Sequence, residues 1–491
     1  MRRSRSVRHL TVALAACALV ALASCNALTG ASDLEITACP TCGSDEAGGG
    51  NVEGGADGTT RDSSSPDALG DTSAEGPGGF LDTSFGTAGI LDIDTLLPDV
   101  HAVAVRADGR ILVAGDASSD LAAVAITPAG VVDTTFGMGG RVIRGSGNAS
   151  SGYAVTFDSQ GRALVAGVSV TVVPTTGAST RYAYVVRMGP SAVDTTFGSN
   201  GGSGPGSWRG DNGGEEAHGV VTAAGDSCVL AVSQGNDHVF VRLTGAGAPD
   251  GAFGDEGRGE VLDVGGAPTG IIAAPGGFVS GGTGSIVNVG PAVAVAKVSL
   301  VGLPAPNFGM ASKAMSRIGP NNNQNGRALA LQSDDKIVVA GDYDPNVINV
   351  KRQAAATRFT STGAVDTTYG IAGKAEIDVS DPIVAKDSDA QSVAALVDSK
   401  GRTLVVGIVT DKSIAGAGGG DRTRTWVVRL RTDGSLDPLF GTNGKLFVGT
   451  APSRRQASAA ALQPDGRLVI TGTDLNGGRT FVARIITTTT K

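Results

Sequence analysis

Val132-Asp133-Thr134-Thr135-Phe136-Gly137 is one of seven versions of the same phrase in this chain. The others occupy residues 81–86, 193–198, 249–254, 304–309, 365–370 and 436–441, and every copy closes on an aromatic followed by glycine: Phe85, Phe136, Phe197, Phe253, Phe308, Tyr369 and Phe440. Successive aromatics are 51, 61, 56, 55, 61 and 71 residues apart. A unit that returns at such a regular size describes a stacked or circular array.

The interior of each unit has one order. In the copy that starts at His101, residues 102–105 form an apolar run, Ala107-Asp108-Gly109-Arg110 a tight turn, and 111–115 a second run. A variable stretch follows, then a third run at 122–126. Pro128-Ala129-Gly130 leads into the phrase, and a fourth run covers 140–144. Short β-branched runs bounded by Gly, Asp and Pro read as strands, and Asp-Gly between two of them is a hairpin signal. The second strand recurs at 163–167, 229–233, 278–282, 337–341, 403–407 and 468–472. The third recurs at 182–188, 239–243, 292–298, 354–359, 426–430 and 480–485. No 12-residue stretch of this region carries helical periodicity.

Seven units of four short antiparallel strands predict an all-β chain folded as a seven-bladed β-propeller, whose radial sheets bury both faces. The ends of the repeat region fit closure. The last unit stops at its third strand, while 89–94 is a spare strand near the start. Pairing the N-terminal strand with the C-terminal strands would complete seven blades and remove two exposed sheet edges.

The pattern Asp-Thr-x-Phe-Gly-x-x-Gly, followed by Ala-x-Ala, Asp-Gly-Arg and Ile-Leu-Val-Ala-Gly, resembles the delta-60 repeat proteins, β-propellers found largely in bacteria. The resemblance covers about residues 80–486. It is sharpest at 81–86, 132–137, 365–370 and 459–472, and weakest where Ala223-Ala224-Gly225-Asp226 and Ala274-Pro275-Gly276-Gly277 replace the usual turn. It implies a propeller and carries no catalytic residues with it.

Before the repeats, residues 1–24 read as an export signal. Arg2, Arg3, Arg5 and Arg8 precede a 14-residue apolar run at 10–23, too short to span a bilayer. Leu22-Ala23-Ser24-Cys25 resembles the lipobox of bacterial lipoproteins, which implies acyl chains on Cys25 and cleavage before it. The alternative is an ordinary signal cut near Ala21-Leu22-Ala23. Two or more acyl chains give durable anchoring, and Asn26 in place of Asp leans towards an outer-membrane address in a Gram-negative cell envelope. Residues 25–79 are then a lipid anchor and tether. Between 43 and 79 there are eight acids, one base and abundant Gly, Ser and Pro, a composition that cannot bury a core. As a Gly-rich coil those 37 residues would reach on the order of 35 Å. Cys39-Pro40-Thr41-Cys42 reads as a local disulfide in preference to a redox or zinc motif.

The 491 residues carry a formal charge of −8, and removal of the four leader arginines takes it to −12. A nucleic-acid partner, which calls for a basic face, is therefore not expected. The repeat region holds one cysteine, Cys228, in a predicted strand.

The recurring Asp82, Asp133, Asp194, Asp250, Asp366 and Asp437 could line a ring, but Asp at such a place in a turn accepts backbone N–H bonds. Their role is expected to be structural. Repetition fails at the head of the first strand, where the candidate binding-face residues are His101, Tyr153, His218, Thr269, Arg327, Ser392 and Ser458. With the first strand innermost, these would ring one mouth of the central channel. The variable loops 168–181, 283–291, 342–353 and 408–425, and those at 203–217 and 380–391, would emerge on the same face. Diverse loops on a repetitive scaffold mark a binding side. A metal held by His101, His218 and Glu215 or Glu216 is conceivable but not expected, and Asp342-Tyr343-Asp344-Pro345-Asn346 departs from a calcium loop at Val347 and Gln353. No cofactor and no catalytic motif is expected. The reading that results is an envelope lipoprotein whose propeller is a binding or interaction scaffold for a protein or glycan. The alternatives are a polysaccharide-acting hydrolase or lyase using Glu215, Glu216, Asp381 and Asp387, and a structural envelope protein.

Overall fold

The computed structural model describes residues 78–145, 149–198, 204–319, 323–345, 351–380, 388–411, 422–449 and 454–488. Cys25, the leader, the Cys39/Cys42 pair and nearly all of the tether lie outside the described residues, as do Asp381 and Asp387. No helix among those described is long and apolar enough to cross a membrane.

Seven antiparallel sheets follow one another along the chain. The first blade contains Asp99–Val105, Ile111–Ala117, Asp120–Ile126 and Arg141–Arg144, from the inner to the outer strand. Five more of the same order follow. The seventh takes Arg455–Leu462, Leu468–Asp474 and Arg479–Ile486 from the end of the chain. Its outer positions are filled by Phe80–Leu81 and Ile90–Asp92, both paired antiparallel to Arg479–Ile486. The spare N-terminal strand thus closes the ring, and it brings with it the first copy of the repeated phrase.

Near-continuous apolar strands follow from sheets buried on both faces. In the first blade, Ile111 and Val113 pack into the gap shared with the seventh blade, together with Val469 and Val482. Leu112 and Ala114 point the other way, against Leu121, Val165 and Val186. This period-2 division recurs, and the buried apolar side chains form seven clusters, one per gap between adjacent blades. Each Val or Leu so buried contributes about 1.5–3 kcal/mol.

The repeated phrase is the fastener between blades. Asp437 accepts the Leu439 N–H at 3.1 Å, which fixes the turn. Its other oxygen takes the Arg429 Nε–H at 2.7 Å. Arg429 also lies 5.2 Å from the Phe440 ring centroid and donates from Nη1 to the Thr487 carbonyl of the next blade at 2.6 Å. Arg484 with Asp82 and Phe85, Arg187 with Asp194 and Phe197, Arg242 with Asp250 and Phe253, and Arg358 with Asp366 and Tyr369 repeat the arrangement. Burial alone would raise the Asp366 carboxyl. The Thr368 hydroxyl and amide, with Arg358 and Lys336, overcome it and hold the group at about 2. The fourth blade loses acid and guanidinium together, with Ala305 and Lys297 in their places, and Lys297 donates to the Pro275 carbonyl at 2.9 Å. In the first blade Ala125 replaces the arginine, and Asp133 pairs instead with Arg110 from the Asp-Gly-Arg turn at 3.0 Å.

The phrase glycine completes the joint. Gly198 N–H donates to the Ala246 carbonyl of the next blade at 2.8 Å. There Gly247 sits at φ +80°, and a Cβ on it would fall 2.5 Å from Gly198 N. Glycine adopts that conformation without strain and leaves that room.

Candidate functional site

The inner strand of every blade carries a β-bulge at one place, between Val100 and Ala102, Gly152 and Ala154, Ala217 and Gly219, Pro268 and Gly270, Gly326 and Ala328, Ser392 and Ala394, and Ala457 and Ala459. A bulge inserts one unpaired residue and re-aims its side chain. The recurrent glycine of Val-Ala-Gly belongs to this device. At Gly115 a Cβ would fall 2.0 Å from the Asp99 carbonyl oxygen, so in the first blade the second strand presses against the bulge without a side chain, whereas in the third blade Val232 holds the equivalent place.

The seven bulged residues line one central cavity of about 280 Å³. Six are residues singled out above: His101, Tyr153, His218, Thr269, Arg327 and Ser458. The seventh is Val393. Ser392 stands one position earlier, is buried, and donates from Oγ to the Gly341 carbonyl of the preceding blade at 2.9 Å. Its place in the ring is therefore a correction. The bulge puts the residue before the small one in the channel, and in the sixth blade the small residue is Ala394.

The ring is unequal around its circumference. Over the first three blades it is aromatic. Tyr153 meets His101 edge to face with centroids 5.7 Å apart, and stacks with His218 at 6.1 Å and an interplanar angle of 9°. Behind His101, Asp116 lies 3.4 Å from Nε2, accepts the Ser151 hydroxyl at 2.8 Å, and so ties the first blade to the second. His218 Nε2 is 3.2 Å from the Ser233 hydroxyl. Burial pushes its pKa down, against the opposing pull of Glu216. Burial, with Glu216 adding to it, pushes the Tyr153 phenol up.

Across the channel Arg327 is held by its Nε, 2.7 Å from Asp342 Oδ2. Asp342 is fully buried and also accepts Arg352 Nη1 at 2.8 Å and Asn325 Nδ2 at 3.0 Å. The aspartate that begins the calcium-loop-like segment is thus committed to two guanidinium groups. Thr269 donates to the Gly281 carbonyl at 3.1 Å. Asp116 and Arg352 were not singled out from sequence, and Asp342 was weighed only as the start of a calcium-loop-like segment. Asp116 and Asp342 share one signal, since each directly follows the glycine that presses on a bulge.

Glu215 and Glu216 part company. Glu215 is fully buried and takes Arg258 Nη2 at 2.8 Å and Asn212 Nδ2 at 3.2 Å, while Glu216 pairs with Arg181 at 2.5 Å. Among the described residues no group of three or more His, Cys, Asp or Glu side chains is gathered as a metal would need. Cys228 is free and buried, and burial pushes its thiol up to about 12.

The variable stretches on this side extend the sheets. The ladder of the second blade runs on through Val172 and resumes at Ser179, and that of the fourth turns only between Ile286 and Gly290. Of the other stretches, residues 203, 346–350, 381–387 and 412–421 lie outside the described residues.

Residues 106–136, 332–369, 401–440 and 463–485 match the profile of a family described as a domain of unknown function (DUF5122) beta-propeller. No curated protein matches the chain. Among solved structures, virginiamycin B lyase from Staphylococcus aureus is 11% identical, with 81% of this chain and 98% of that one covered and a TM-score of 0.42. NanB sialidase from Streptococcus pneumoniae is 10% identical, with 84% and 70% covered and a TM-score of 0.37. At these values nothing of their chemistry passes to this chain, which is a propeller repeat protein.

Proposed function

We propose that this protein is an envelope lipoprotein whose propeller works as a binding scaffold, with its ligand face at the mouth ringed by the bulged residues. One observation carries the reading. A single backbone device, repeated in all seven blades, delivers seven positions to one cavity, and their side chains differ from blade to blade. A purely structural repeat has no need of such different side chains at that place. Binding sites on repeat scaffolds are built in this way, from constant backbone and divergent display. The lipobox-like segment and the acidic tether support an anchored location, and the net negative charge fits a protein or glycan partner better than a nucleic acid.

Two measurements test this. The full chain is screened on a glycan array and in pull-downs from envelope extracts, beside a His101→Ala, Tyr153→Ala, His218→Ala triple variant that keeps its melting temperature. A partner retained by the native chain and lost by the variant is expected. Absence of any partner, or equal capture by both chains, refutes the scaffold reading. Cys25→Ala is expected to move the protein from the membrane fraction to the soluble one, and unchanged membrane association would refute lipid anchoring.

A further inference from the structure

The geometry points to a small acidic ring as the ligand of the channel mouth: one six-membered ring carrying a carboxylate, seated against the Tyr153–His218 wall with its acid on Arg327. This rests on the binding-scaffold reading and specifies its ligand. Three observations converge. The cavity, at about 280 Å³, is near the lower end of small-molecule pockets. That is room for one ring and its substituents. Its wall over blades one to three is a continuous row of rings, with Tyr153 in contact with an imidazole on either side. Such a wall offers aromatic contact to a ligand ring, by edge or by face. Arg327 lies three blades round from Tyr153, on the far side of a seven-fold ring.

Arg327 is suited to an anion. Its Nε is spent on Asp342, which fixes the plane of the guanidinium. Its Nη groups make no hydrogen bond to the described residues, and the side chain is 35% exposed. Asp342 is shared with Arg352, so what Arg327 turns to an anion is its two Nη donors rather than an uncompensated charge. The remaining acid of that network, Asp389, approaches Arg352 and not Arg327, at 3.9 Å. A planar guanidinium with two donors free matches a carboxylate in bidentate fashion.

Isothermal titration of the full chain with D-glucuronate, benzoate and D-glucose tests the assignment. Saturable binding of at least one acid, with glucose at least tenfold weaker, is expected. Glucuronate alone would identify a saturated sugar acid and benzoate alone an aromatic one, and both support the shared chemistry. Arg327→Gln and Tyr153→Ala should each weaken the acid at least tenfold. Because Arg327→Gln disturbs a buried network, Val393→Glu supplies a second test. It adds a carboxylate to the same cavity without removing a hydrogen bond, and should also weaken the acid at least tenfold. No binding of either acid, equal binding of glucose, or indifference of folded Val393→Glu overturns the proposal. If the acids fail while pull-down of a partner still depends on His101, Tyr153 and His218, the scaffold reading stands and only the ligand class falls.

Discussion

His238 gives the chain a specific sensitivity to acid. It lies on the third strand of the third blade, fully buried, with Nδ1 2.8 Å from the Ser280 hydroxyl of the fourth blade. Burial holds its pKa down at about 4, below an ordinary 6.5. The unfolded chain therefore binds the proton first. Stability from this group is complete above pH 6.5 and is lost as pH falls towards 4. With those two values the loss between pH 8 and pH 5 is about 2 kcal/mol, and about 3 kcal/mol once both forms are protonated. The turn aspartates titrate lower and do not confuse this window. Asp82, Asp133, Asp194 and Asp366 are all depressed below 3.8, so their contributions persist until the pH falls beneath that value. His218 is shifted in the same direction as His238, so the effect is read as a difference between proteins. Urea unfolding of the native chain and of His238→Asn at pH 8 and pH 5 supplies the four free energies. The pH dependence of the variant should be smaller by about 2 kcal/mol with an unchanged m-value. Equal pH dependence in both would refute the claim that a neutral, buried imidazole joins these blades.

Further expectations concern the fasteners. Asp437→Ala leaves Arg429 buried without its carboxylate and should cost about 3–5 kcal/mol in chemical denaturation. Asp133→Ala, whose cation is the partly exposed Arg110, should cost about 1–2 kcal/mol; equal losses would count against the lock. Gly247→Ala should cost at least about 2 kcal/mol from its positive φ and the contact with Gly198 N, and a neutral effect on the melting temperature would contradict the tight joint. Deletion of 78–92 should lower the melting temperature far more than deletion of 43–77, because it removes the outer strands of the seventh blade together with Asp82; similar melting would argue against closure by the N-terminal segment.

Blade number and the structural use of the six aspartates could be read from sequence because they depend on local chemistry that recurs along the chain, and closure because a spare strand at one end answers a missing one at the other. Asp133 marks its turn through its own neighbours, Thr134 and Thr135. The arginine lock was hidden. Arg187, Arg358 and Arg429 sit inside apolar strands, and their partners lie in the turn of their own blade and the carbonyl of the next. The displacement at Ser392 has a similar origin. Whether Ser392 or Val393 faces the channel is set by the register against Thr403–Asp411, and a bulge changes which residue is unpaired without changing composition. Aligning the units on the small residue after the bulge, Ala102, Ala154, Gly219, Gly270, Ala328, Ala394 and Ala459, would have chosen Val393. Asp342 shows the limit most clearly, since the partner Arg352 arrives from beyond a variable loop.

The seam of the seventh blade also orders events in time. Asp82 and Arg484 are 402 positions apart, so the earliest strand of the ring waits for nearly the whole chain before it can dock. Until then six blades can assemble from neighbours while the last gap, with Val113 and Val469 on its walls, stands open to water. Contacts of such long sequence separation form slowly, because the loop must be closed before anything is gained. A chain whose synthesis stops late would therefore be left with an unpaired edge, and synthesis of the final few dozen residues is the step at which aggregation competes with completion.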